Sequence, residues 1–125
     1  MRSVYLTYSG RNCEAVLQVM EALIRNGYAL MCECMLPYGD DPEAQAHRFI
    51  CEADAVVAVI TEDAVDCPYM ARDLAWAKEA ERRILFVGVG DVQWAGACRI
   101  SDFPTPEEIG GFEERLREMM KEESP

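Results

Sequence analysis

The chain has 125 residues, half of them apolar, and a formal net charge of −11. That length suffices for one domain with a core of ordinary size and leaves no room for a second. The acidic balance, with a pI near 4.4, excludes nucleic-acid phosphate and anionic membrane surfaces as partners, because both need clustered Lys and Arg.

Residues 3–8, SVYLTY, read as a first strand. Residues 13–26 then carry Val16, Met20, Leu23 and Ile24 at helical spacing, and Gly27 ends the helix. A second strand is predicted over residues 28–33, followed by a loop over 34–41 with Pro37 and Gly39. Pro42 or Glu43 opens a helix with Ala46, Phe49, Ile50 and Ala53 on one side. The run AVVAVI at residues 55–60 is apolar throughout and mostly β-branched, which is the pattern of a strand buried on both faces. The polar segment after it contains a proline and turns helical, placing Met70, Leu74 and Ala77 inward. A fourth strand follows at residues 83–88, a short edge strand at 97–100, and a last helix at 106–122 with Phe112, Leu116, Met119 and Met120 inward. The domain therefore covers residues 1–122, and residues 123–125 form a frayed tail. Strands alternating with helices imply an α/β fold with a parallel sheet and helices on both faces. The doublet Arg82-Arg83 suits a helix end that favours cations.

No apolar stretch reaches the length of a membrane span. Met1-Arg2-Ser3 leads straight into a strand-like segment without the apolar region of a secretory signal, so a cytoplasmic location is expected. In that compartment the six cysteines, Cys13, Cys32, Cys34, Cys51, Cys67 and Cys98, are expected to stay reduced. Cys32 and Cys34 share a strand face and have the spacing to hold a soft metal together. With one histidine in the chain and no second close cysteine pair, packing is the expected role and no metal site is expected.

Four segments, in order, resemble the successive boxes of a Toll/interleukin-1 receptor (TIR) domain. They are Val4-Tyr5-Leu6-Thr7-Tyr8-Ser9 with Gly10-Arg11-Asn12, Leu36-Pro37-Tyr38-Gly39-Asp40-Asp41, Glu52-Ala53-Asp54-Ala55-Val56-Val57-Ala58-Val59-Ile60, and Cys67-Pro68-Tyr69-Met70-Ala71-Arg72-Asp73-Leu74. The resemblance covers nearly the whole chain. It implies a flavodoxin-like, doubly wound parallel sheet of about five strands in the order 2-1-3-4-5, in a single domain. It also implies two activities: signalling through TIR–TIR association, and hydrolysis or cyclisation of NAD. No resident cofactor is implied, NAD being substrate or ligand.

Catalytic family members carry Trp-Cys and then Glu-Leu in the helix after the third strand. This chain has Tyr69, Met70 and Asp73 before Leu74, so the catalytic position is one methylene shorter. Thr61 matches the family's serine after the third strand, and Asn12 its acidic residue closing the first box. Cleavage of the nicotinamide–ribose bond passes through an oxocarbenium-like state, in which one carboxylate can anchor the ribose and offset the developing charge. Asp73 is the catalytic candidate on that basis, against a solvated carboxylate near a helix N-terminus.

Tyr8, Ser9 and Arg11 end the first strand, where the family contacts the dinucleotide; Arg11 reads equally as a phosphate partner or a surface residue. Thr61, Tyr69 and Trp76 complete the nucleotide-binding candidates, although an aromatic at the position of Trp76 reads more readily as core. Pro37, Tyr38, Gly39 and Asp40 match the family's interaction loop, and an ordinary Pro-Gly turn is the alternative. His47 reads as solvated, and Trp94 as a cap on the cleft or a cover for the sheet edge. Two rival functions stay open: a catalytically silent interaction module, and an N-glycosidic-bond enzyme like the nucleoside deoxyribosyltransferases. The latter share a similar Ala53-Asp54-Ala55 strand and the helix Arg72-Asp73-Leu74-Ala75-Trp76-Ala77.

Overall fold

A computed structural model describes residues 2–8, 14–32, 41–62, 67–94 and 96–121. In chain order the elements are β1 (Ser3–Tyr8), α1 (Glu14–Arg25), β2 (Ala29–Met31), α2 (Pro42–Glu52), β3 (Ala55–Ile60), α3 (Pro68–Glu79), β4 (Arg83–Val89), β5 (Cys98–Ile100) and α4 (Pro106–Lys121). The strands form one parallel sheet in the order β2-β1-β3-β4-β5. This is the expected α/β flavodoxin-like arrangement, with β3 central and every one of its residues buried.

The pleat divides each strand between two layers. Val4, Leu6, Val57, Val59, Leu85, Val87 and Val89 face α1 and α4, which contribute Val16, Val19, Leu23, Ile109, Phe112 and Leu116. On the other face Tyr5 and Val56 pack with Ala46, Ile50 and Ala77, and Ala58 and Ile60 pack with Met70 and Val92. The connection from β4 to β5 contains no helix among its described residues; Trp94 instead lies against Phe86, ring centroids 5.5 Å apart. Trp94 therefore covers β4.

The ends of the elements differ slightly from expectation. Helix α1 ends at Arg25, and Gly27 turns the chain at φ +83°. Ile24 is 63% exposed, not inward. At about 100° per residue the buried arc Ala15, Val16, Val19, Ala22 and Leu23 leaves Ile24 on the far side. Strand β2 is three residues long and starts at Ala29, the Tyr28 N–H being taken by the carbonyl of Leu23 at the end of α1. Cys32 packs in the core, while Cys13, Cys34 and residues 122–125 lie outside the described residues. Cys32, Cys51, Cys67 and Cys98 carry free thiols. Arg82 donates to the carbonyl of Ala53 at the end of α2 and Arg83 to that of Met119 near the end of α4. Both cations meet helix C-termini, though of helices remote in sequence. No helix among the described residues is long and apolar enough to cross a membrane.

Candidate functional site

The chain leaves β1 for α1 on one face of the sheet and leaves the neighbouring β3 for α3 on the other. Such a reversal opens a crevice at the carboxyl ends of the two strands, where open α/β sheets bind ligands. Among the described residues, the end of β1 and the second turn of α3 bring side chains together near this point on the α2/α3 face.

Alternation on β1 puts Thr7 on the same face as Tyr5, paired across the sheet with the small Ala58 and only 3% exposed. A hydroxyl in that position needs a partner. Helix α3 begins at Pro68, whose fixed φ suits the first helical position, and the preceding Cys67 makes no side-chain cap hydrogen bond. The inward stripe of α3 is Met70, Asp73 and Ala77, spaced three and four residues apart. Asp73 is therefore a core position occupied by a carboxylate, 3% exposed, and not a solvated one. Leu74, expected inward, is half-buried beside it.

The Thr7 hydroxyl donates to Asp73 Oδ2 at 2.8 Å. Arg72 donates to Asp73 Oδ1 through Nη2 at 3.0 Å and Nε at 3.3 Å. Adjacent helical residues do not normally face one another, so the Arg72 side chain must fold back to make this pair. Its guanidinium lies over the Trp76 ring, 4.7 Å from the centroid, and 5.4 Å from that of Tyr69. His47 of α2 meets Trp76 in a tilted ring contact, centroids 4.7 Å apart, with its Nε2 3.7 Å from Cys51 Sγ. His47 is exposed, as expected, yet belongs to this group. The result is a carboxylate fixed at both oxygens, one by a rigid strand and the other by a stacked cation.

Of the residues singled out in the sequence, Asp73, Tyr69 and Trp76 come together here. Thr61 follows β3 and is half-buried, while Tyr69 is 59% exposed. Tyr8 does not join them: it packs against the α1/α4 core on the opposite face. Ser9, Arg11, Pro37, Tyr38, Gly39 and Asp40 lie outside the described residues. Thr7 and Arg72 were not singled out; the period-two alternation of β1 was the available signal for Thr7. Among the described residues no three His, Cys, Asp or Glu side chains cluster as a metal site requires. A cavity of about 210 Å³ between β4 and α4, lined by Phe86, Gly96, Arg115 and Met119 among others, contains none of the Asp73 group.

Among solved structures, the chain is similar to the TIR domains of the activated Roq1 resistosome, which directly recognises the pathogen effector XopQ. The TM-score is 0.66 at 16% identity, covering 98% of this chain and 75% of that one. It is also similar to FerB, a flavoenzyme NAD(P)H:(acceptor) oxidoreductase from Paracoccus denitrificans, with a TM-score of 0.63 at 13% identity and 98% of each chain covered. The CMP N-glycosidase BcmB of Clostridium botulinum matches with a TM-score of 0.57 at 14% identity, over 93% of this chain and 99% of that one. No family model matches the chain, and no curated protein matches it by sequence. At these identities the likeness establishes the fold, which hosts more than one chemistry.

Proposed function

We propose that this chain is a TIR-type domain that binds a nicotinamide dinucleotide or a related nucleotide at the carboxyl ends of β1 and β3 and hydrolyses its N-glycosidic bond slowly. The observation that carries the reading is the buried Asp73, fixed by Thr7 at the point where the helical connections switch from one face of the parallel sheet to the other. Support also comes from the neighbours, since one is a TIR domain of an activated resistosome and another is a CMP N-glycosidase. In the reaction the C1′–N bond breaks with its electron pair going to the nicotinamide nitrogen. Water adds to C1′ and releases a proton, giving nicotinamide and ADP-ribose. Asp73 anchors the ribose hydroxyls and offsets the positive charge that develops at C1′. Association with other TIR domains or between copies goes with this proposal, through the loop containing Pro37, Tyr38, Gly39 and Asp40.

The test is nicotinamide release from NAD by concentrated purified protein. Asp73→Asn, which keeps the volume and removes the charge, is expected to abolish turnover. Asp73→Glu restores the missing methylene and is expected to raise the rate roughly 10- to 100-fold, with a stability loss of about 1–3 kcal/mol from overpacking. A folded Asp73→Glu protein that neither binds nor cleaves a dinucleotide ends the catalytic reading.

A second reading is favoured by one specific feature. Both oxygens of Asp73 are engaged within the protein, as they would be in a latch joining α3 to β1 in a catalytically silent interaction module. That module would self-associate with no turnover, and replacing Pro37 or Gly39 would weaken association in sedimentation experiments while leaving the fold intact. At a net charge of −11, association should strengthen as salt screens repulsion between copies.

A further inference from the structure

Thr7 and Arg72 differ in how readily they can leave Asp73. Thr7 is 3% exposed in β1, in register with Ala58 of β3, so its hydroxyl is held by the sheet. Arg72 is on the outer part of α3, its side chain 18% exposed and flanked by the exposed ring of Tyr69. An arginine paired to Asp73 also works against the chemistry. It neutralises the carboxylate and places a positive charge beside the site where an oxocarbenium-like charge would form. For Asp73 to engage a ribose, Arg72 has to release Oδ1 to a better anion.

We propose that Arg72 is a specificity-determining clamp, which surrenders Asp73 only to a substrate that brings its own phosphate, so that the site selects nucleotides over free nucleosides. This rests on the N-glycosidic reading above and adds the residue that reads the substrate's phosphate. A phosphate on a chain of net charge −11 needs a local cation. The guanidinium fork pairs with phosphate in the same bidentate manner as with carboxylate. The rings of Trp76 and Tyr69, 4.7 and 5.4 Å from the guanidinium carbon, keep that cation beside Asp73 and favour a short exchange over a long one. The start of α3, where Cys67 makes no side-chain cap hydrogen bond, is about one turn away and also favours an anion.

The chain has two tryptophans, Trp76 and Trp94, so a Trp94→Phe protein reports on Trp76 alone while keeping an aromatic ring against Phe86. Nicotinamide mononucleotide and nicotinamide riboside are titrated into it, with emission followed for binding and nicotinamide release followed for turnover. The mononucleotide is expected to change Trp76 emission as the guanidinium leaves the ring, and to bind roughly 10- to 100-fold more tightly than the riboside. Arg72→Gln is expected to remove both the emission change and the preference, and to raise riboside cleavage relative to the parent. Arg72→Lys, which keeps the charge without the fork, is expected to retain only part of the preference, and it serves if the glutamine variant does not fold. Equal binding of the two compounds by the parent, or a tenfold preference surviving in Arg72→Gln, overturns the clamp. Cleavage without preference removes the clamp and leaves the proposed function standing. Preferential binding without cleavage does the reverse, and no binding of either compound removes both.

Discussion

On the face covered by α1 and α4, twenty buried residues among those described, from both helices, from every strand but β2 and from Cys32, form one continuous apolar cluster. On the face covered by α2 and α3 the described core falls into two small groups, six residues around Tyr5 and four around Ile60. The break between those groups is where Thr7 and Asp73 meet, since Asp73 sits on the stripe between Met70 of one group and Ala77 of the other. A fold of this size needs one well-packed layer for stability, and it has one. The second layer can then give up core positions to polar groups, at a cost, and Thr7 and Asp73 are such a pair.

The comparison predicts unequal sensitivity to mutation. Phe112→Ala, at the fully buried centre of the α1/α4 layer, is expected to lose about 3–5 kcal/mol in denaturant unfolding. Thr7→Val keeps shape and removes one hydrogen bond to a buried carboxylate, for a loss of about 1.5–3 kcal/mol. The Thr7→Val and Asp73→Asn effects are expected to be non-additive, because the two side chains share one bond. If Thr7→Val is as costly as Phe112→Ala, both faces carry the fold equally and the contrast fails.

Thiol reactivity separates the same two faces more finely. Cys98 lies against the α1/α4 layer, and burial pushes its thiol up from the ordinary value. Arg115 opposes that rise and Glu108 adds to it. Cys67 edges the α2/α3 layer and is half-buried. Alkylation followed by mass spectrometry is expected to modify Cys67 on the order of tenfold faster than Cys98. Equal rates would mean that the α1/α4 layer opens as readily as the other.

Most of the fold was legible because it depends on local pattern. The unbroken AVVAVI of β3 could only suit a strand covered on both sides, and the alternation of strands and helices dictated a parallel sheet. The site was legible in part. Asp73 stood out through the TIR-like box, but counting apolar residues at helical spacing assigned the inward position to Leu74, since a carboxylate does not register in such a count. The spacing of Met70 and Ala77 already pointed at residue 73. Thr7 was hidden for a different reason: its partner is 66 residues away, and only the register of β1 against β3 brings the two together. Tyr8 was misplaced by the same pleat, one residue along and so on the opposite face.

The smallest expected effect tests whether the strong layer has a weak end. Helix α4 begins with a capping box: Thr105 Oγ1 accepts from the Glu108 N–H, and Glu108 Oε1 accepts from the Thr105 N–H at 2.9 Å. Glu108 also accepts from the Ser101 hydroxyl at 2.7 Å and the Ser101 N–H at 2.9 Å, tying α4 to the end of β5. The Thr105 N–H and then the Ser101 hydroxyl lower the Glu108 carboxyl below its ordinary value of 4.5. A carboxyl depressed in the folded state stabilises the protein above the unfolded value, and that contribution is lost as pH falls through the folded one. Glu108→Gln retains the geometry of the box without the charge, so it removes only the titrating part. Denaturant midpoints measured well above and well below pH 4.5 should therefore fall less on acidification in Glu108→Gln than in the parent, and hydrogen exchange should place the acid loosening in the first turn of α4. If parent and variant lose stability in parallel, the Glu108 charge contributes nothing to that helix start, and the capping geometry alone holds it.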